Sequence, residues 1–194
     1  MSRLDEAFRR FDEANAEDPN REIVNGEALP KELVYGRRMS ERLDAFAPDA
    51  RETVKLAARA QHIRRWKVPR ESYPEGRAGY LKWRTDLYKR HGDIAGRIMK
   101  EVGYDDHTIE RVQTLLRKRG LKTDPDVQLL EDVICLVFLE HYFHDFASKH
   151  DEAKLIPIVQ KTWNKMTDEG HRAALALDYA PSDLAIIEKA SKSP

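Results

Sequence analysis

With one cysteine, Cys135, in 194 residues, the chain has no second thiol for an internal disulfide, and a reducing compartment is the expected setting. Long apolar stretches are also missing. The longest uninterrupted run, Val133 to Leu139, falls far short of the roughly 20 residues that a spanning helix needs, so no membrane segment is expected. The first residues, Met-Ser-Arg-Leu-Asp-Glu, are charged and amphipathic and lack the apolar core of a secretory signal, which makes the cytoplasm the expected location. There is no excess of either charge: 34 basic residues meet 34 acidic ones, so no global field draws the protein to nucleic acid or membrane. A glycine-rich phosphate loop, a Gly-x-Ser-x-Gly elbow and a Cys-x-x-Cys pair are all absent, which removes the commonest nucleotide, serine-hydrolase and thiol-redox signatures.

The chain does carry helical periodicity, from end to end. Leu4, Ala7, Phe8, Phe11 and Ala14 recur at three and four residues, and Ser2 is placed to cap that first helix. The stretch Asn15 to Asn20, with its Asp18-Pro19-Asn20, ends it, and Ile23 to Pro30, with Asn25-Gly26, reads as a loop. Pro30 opens a second helix striped by Leu33, Val34, Met39, Leu43 and Phe46. A third is expected from Ala50 to Trp66, stopped at Val68-Pro69. After a Pro-, Gly- and Arg-rich loop over 69–80, helices are expected from Gly79, from His91 to Val102, from Asp106 to Arg119, from Pro125 to Phe146, from Leu155 to Met166 and from Ser182. No stretch alternates like a strand. The expectation is an all-α, compact helical bundle forming a single domain over 1–194, ordered over about 2–189, with the residues after Lys189 fraying.

Several polar residues fall where such a bundle should be apolar. Glu131 and Asp132 stand two turns inside a helix, immediately before its all-apolar run, and a buried carboxylate needs a cation or several donors. A structural ion pair, for example to Arg59 or Arg84, weighs about equally with a metal or catalytic role. His62 lies in the close-packing stretch Leu56-Ala57-Ala58-Arg59-Ala60-Gln61, flanked by Arg64 and Arg65, which suggests an anion recess. His91 is expected just before a helix start, where it would serve as ligand, phosphate donor or cap. The trio His141, His144 and His150 beside Asp145 lacks a His-Glu-x-x-His pattern, and Tyr73, Tyr80 and Trp83 read first as packing anchors. Charge is segregated: ten basic residues face three acidic ones between Arg59 and Arg90, whereas eight acidic residues face one lysine between Asp124 and Glu152.

Two family resemblances rest on these residues. Ala58-Arg59-Ala60-Gln61-His62-Ile63-Arg64-Arg65-Trp66, then Pro69-Arg70, Tyr73-Pro74, Tyr80, Trp83-Arg84, Leu130-Glu131-Asp132-Val133 and Lys161-Thr162-Trp163, resemble a family catalogued as domain of unknown function 4202. The order of elements is more distantly similar to the all-helical His-Asp metal-dependent phosphohydrolase superfamily, with His91-Gly92-Asp93-Ile94-Ala95-Gly96-Arg97-Ile98 at that superfamily's later histidine motif. The departures are Gln61-His62, where the superfamily has its His-Asp doublet, and Tyr35, where it has an early histidine.

That second resemblance implies one divalent metal (Mn, Fe, Zn or Mg) on His62, His91 and Asp132. Glu131 and Asp132 would serve catalysis, and Arg59, Gln61, Arg64, Arg65, Arg70 and Arg84 would hold a phosphorylated small molecule or nucleotide. The departures leave open a site that has lost its metal and binds an anion without catalysis. An RNA-binding role for the basic segment and its aromatics is the third expectation.

Overall fold

Ser2 and Asp5 start the first helix by capping each other. The Ser2 hydroxyl accepts the Asp5 amide and the Asp5 carboxylate accepts the Ser2 amide, so α1 (Arg3–Ala16) opens on a capping box and buries Ala7, Phe11 and Ala14. In the computed structural model, which describes residues 1–191, the chain divides into two compact units, Met1–Gly120 and Leu121–Pro194. Nothing in the sequence marks that division. Each unit is described by itself.

In the first unit, the segment expected to be a loop is a hairpin. Strands β1 (Arg21–Val24) and β2 (Glu27–Pro30) pair antiparallel, with Arg21 opposite Pro30 and Val24 opposite Glu27. Asn25 (φ 52°) and Gly26 (φ 84°) are both left-handed, the turn geometry whose twist matches the strands it joins. The strands are too short, and Ile23 too exposed, for alternation to show in the sequence.

Helix α2 (Lys31–Phe46) follows directly. The next helix, α3 (Glu52–Arg59), is shorter than expected. It ends because the chain turns through 60–64 to Arg64 in the left-handed region (φ 51°), whose amide bonds Asn15 Oδ1 instead of a carbonyl one turn back. Single turns of 3-10 helix, Arg65–Lys67 and Arg70–Ser72, lead into α4 (Gly76–Val102).

That 27-residue helix corrects the reading of two helices meeting at His91, which lies in its middle. Gly92 and Gly96 suggest an interruption, but both lie against α5 (Asp106–Leu116), and Gly96 allows the close approach: a Cβ there would sit 2.5 Å from Gln113 Nε2. Helix α5 is capped by Asp105 and stops short of Arg119, with Lys118 at φ 54° and Gly120 at φ 90°.

In the second unit, the expected start of α6 (Pro125–His141) is present. Asp124 accepts the Asp126 and Val127 amides and Pro125 takes the first helical position. Leu130, Val133, Leu136, Val137 and Leu139 are each no more than 2% exposed. The helix breaks at Tyr142, short of Phe146, and α7 (Phe143–Ala147) follows. Helix α8 (Glu152–Trp163) starts about one turn earlier than expected, and α9 (Asp168–Leu175) has no counterpart among the expected elements. The last helix, α10 (Pro181–Ser191), includes residues expected to fray after Lys189; the rest of that stretch, 192–194, lies outside the described residues. Apart from the hairpin the protein is all-α. Among the described residues no helix is long and apolar enough to cross a membrane.

Candidate anion site around His62

The site is built from Asn15 and Asp18, at and just beyond the end of α1. Asp18, 1% exposed, accepts the Glu32 amide at 3.0 Å, which caps the start of α2. Asn15, 2% exposed, donates to the Glu32 carbonyl at 3.2 Å and accepts the Arg64 amide at 2.9 Å. Two buried polar side chains thus fix the backbone of Glu32 and the turn that carries His62. In the sequence this stretch reads only as a helix breaker.

His62 sits inside that frame. Its Nδ1 lies 3.2 Å from Glu32 Oε2, and its ring stacks on Tyr35 with centroids 3.9 Å apart and planes 13° apart. Arg65 closes the other side, with Nη1 3.0 Å from Nε2 and 3.2 Å from Nδ1. A guanidinium only donates, so the arrangement that satisfies both neighbours has Nδ1–H facing Glu32 and the Nε2 lone pair facing Arg65. Arg65 also lies over the Trp83 ring at 5.1 Å. Behind His62, His91 is 2% exposed, its ring centroid 6.1 Å from that of His62. His91 Nδ1 donates to the Ile63 carbonyl at 2.9 Å, which leaves the lone pair on Nε2.

Burial and positive charge set the electrostatics. Burial pushes the His62 pKa well below the ordinary histidine value, and the cations Arg65, Lys118, Lys31 and Arg84 push it in the same direction. Burial, then the neighbouring His62, bring His91 down to about 3, against the opposing bond to Ile63. Glu32 is raised by burial, which outweighs the pull of Arg65 and Lys31.

The remaining predicted residues of this unit divide clearly. Arg59 is held in a two-pronged pair with Asp12, both bonds 2.7 Å, and Arg64 pairs with Glu17 at 2.7 Å. Arg70 staples its own loop through the carbonyls of Tyr73, Pro74 and Gly76. Arg84 bonds the Tyr88 hydroxyl and lies between the Tyr80 and Tyr88 rings. Gln61 is 2% exposed and its Oε1 is buried without a hydrogen-bond partner. Trp83 and Tyr73 are anchors: Trp83 donates to the Val68 carbonyl and Tyr73 to Asp86. Sequence reasoning missed Glu32, Lys31, Lys118, Asn15 and Asp18. A glutamate in the first turn after Pro30 looks like an ordinary complement to the helix dipole.

Glu131 and Asp132 lie in the second unit, 3% and 2% exposed. Asp132 Oδ1 accepts the Thr167 amide at 2.9 Å, Oδ2 the Thr167 hydroxyl at 2.6 Å, and Oδ1 the Gln128 amide group at 3.3 Å. Thr167 in turn caps α9 by accepting the Gly170 amide at 3.0 Å. Burial still raises the Asp132 pKa, against these hydrogen bonds. Glu131 stands 3.5 Å from Lys165, and Gln128 donates to the Lys165 carbonyl at 2.7 Å, so α6 grips the 165–167 segment. The histidines of this unit go separate ways: His144 to Asp183 at 2.8 Å, His141 to Glu140 at 3.4 Å, His150 to Lys154 at 3.3 Å and His171 to the Trp163 carbonyl at 2.8 Å.

The donor set around His62 does not fit a divalent metal. The imidazole edge that would have to ligate is covered by the Arg65 guanidinium, and a second cation at that position is repelled. Among the described residues no group of three or more His, Cys, Asp or Glu is arranged to hold a metal ion.

Fold and site together define an all-α protein with a histidine–glutamate pair ringed by protein cations in its first unit and a carboxylate that secures a helix start in its second. The chain belongs to the family described as Domain of unknown function (DUF4202), which matches residues 5–187. No curated protein and no solved structure matches it.

Proposed function

We propose that the protein binds a phosphorylated small molecule over His62, using its own cations where a metal would otherwise supply charge. The observation that carries this reading is Arg65. It makes no ion pair among the described residues, contacts both ring nitrogens of His62, and belongs to a group of cations (with Lys31, Arg84 and Lys118) acting on that ring. Other basic residues of the same segment are already engaged: Arg59 with Asp12, Arg64 with Glu17, Lys82 with Asp86 and Lys89 with Asp93. An anion with several oxygens suits a guanidinium so placed, because charge-assisted bonds to phosphate are about twice as strong as neutral ones. The resemblance to phosphohydrolases favours a phosphoryl ligand over other anions. A reducing compartment such as the cytoplasm suits Cys135, a buried thiol.

The test is thermal unfolding with inorganic phosphate, pyrophosphate and a panel of nucleotides and sugar phosphates, in EDTA throughout. Saturable stabilisation that is lost in Arg65→Met supports the reading. A flat response across the panel, or stabilisation only when metal is added, overturns it.

A further inference from the structure

Cations alone suffice to hold a phosphate, and the surface beside them offers something more. The three aromatic residues of the 73–83 stretch differ in how they are held. Trp83 is 8% exposed and donates to the Val68 carbonyl, and Tyr73 donates to Asp86. Tyr80 has no such anchor. Its hydroxyl makes no hydrogen bond among the described residues, and 42% of its surface is exposed. The next residue, Leu81, is 50% exposed. An exposed ring beside an exposed leucine forgoes hydrophobic stabilisation that a ligand covering them would supply.

Two links tie Tyr80 to the cations around His62. Its ring meets Trp83 with centroids 5.9 Å apart, and Arg65 lies over that same Trp83 at 5.1 Å. Arg84, whose charge also acts on His62, lies 5.7 Å from the Tyr80 centroid. Tyr80 therefore stands one ring beyond Arg65. No acidic residue lies between Glu75 and Asp86, so the stretch of α4 that carries Tyr80 holds no charge that repels an anion.

We infer that the phosphorylated ligand is a mononucleotide, its base stacked on Tyr80 and its phosphate on Arg65. The inference rests on the phosphoryl-binding reading above. Every nucleobase has a π face that stacks on an aromatic ring, and Arg84, held against Tyr80, supplies a second flat group beside it. A sugar phosphate or pyrophosphate carries nothing flat to cover Tyr80 and engages the cations only. Stacking reads no base edge, so purine and pyrimidine nucleotides both bind, purines more tightly through their larger face. Among the described residues Tyr80 is the one exposed Phe, Tyr or Trp. The surface thus offers a platform to a single base and not to a row of them, which favours a mononucleotide over single-stranded RNA.

The experiment is calorimetric titration of the full chain, in EDTA, with ligands that share a sugar phosphate and differ in the base: AMP, UMP and ribose 5-phosphate. Both nucleotides should bind about tenfold or more tightly than ribose 5-phosphate, with AMP ahead of UMP. Tyr80→Ala should remove that margin, bringing AMP down to the affinity of ribose 5-phosphate, and Tyr80→Phe should keep it. Equal affinity for the three ligands overturns the inference and leaves the binding reading standing. So does a margin that survives Tyr80→Ala. An oligouridylate that binds far more tightly than UMP also overturns it, in favour of single-stranded RNA. Absence of binding by every phosphate removes both readings.

Discussion

Glu32 in the first unit and Asp132 in the second are both buried carboxyl groups whose pKa is raised by desolvation, yet their surroundings differ in kind. Asp132 meets neutral donors close in space: the amide and hydroxyl of Thr167 and the side chain of Gln128. Every one of them belongs to the framework, and Thr167 passes the constraint on to α9. Glu32 has its backbone secured by Asn15 and Asp18, and its carboxylate faces an imidazole instead. The first acid is satisfied by amides and hydroxyls of the framework; the second is set against a titratable ring on which several cations act.

The largest way to break this comparison is Asp132→Ala. It strands the Thr167 amide and hydroxyl and releases the α9 cap, and should cost about 2–3 kcal/mol in urea unfolding. An unchanged midpoint would remove Asp132 from the structural side. Gly170→Ala probes the same junction, since the added Cβ would lie 2.9 Å from Asp132 Oδ1; a loss of about 1–3 kcal/mol is expected. Asn15→Ala should cost about 1–2 kcal/mol, by leaving the Glu32 carbonyl and Arg64 amide without their partner. It should also weaken phosphate stabilisation, because Glu32 and His62 lose their common frame. If affinity for phosphate is untouched, the frame does not position the site.

Arg65→Met should leave the fold close to wild type and lower phosphate affinity about tenfold or more, the loss of one charge-assisted contact. The pH dependence of stability gives a further check. His91 titrates at about 3 in the folded state against an ordinary 6.5, so the unfolded chain binds the extra proton first. Stability is then full above pH 6.5 and falls as pH drops below it, by about 1.4 kcal/mol per unit for one such group. His62 adds in the same direction. Glu32 and Asp132, raised, act oppositely at lower pH, where the folded state binds their protons first. Urea titrations between pH 7 and 5 should show a shallower slope in His91→Gln than in wild type.

Much of the fold is legible in the sequence because it depends on local chemistry. The Ser2 cap, the Asp124-Pro125 start and the all-apolar face of α6 need only neighbouring residues. The hairpin escapes a sequence reading although Asn25-Gly26 announces it, since four-residue strands carry too little alternation. A split at His91 is the natural misreading because Gly92 and Gly96 suggest an end unless the helix packed against them is known. For the site, His62, Arg65 and Arg84 stand out through charge density around a histidine, whereas Glu32 and Lys118 lie 30 residues before and 56 after His62 and bear no pattern linking them to it.

Taken alone, the sequence determined the helical class and the presence of polar residues too costly to bury without partners. Which partners those residues take was decided by tertiary structure. Arg59 went to Asp12, Asp132 to Thr167 and His62 to Glu32, all contacts between residues far apart in the chain. The reason is physical: periodicity records which face of a helix is buried, but a buried charge is stabilised by whatever donor or cation the packing brings within about 3 Å, and that distance is set only once the helices have packed.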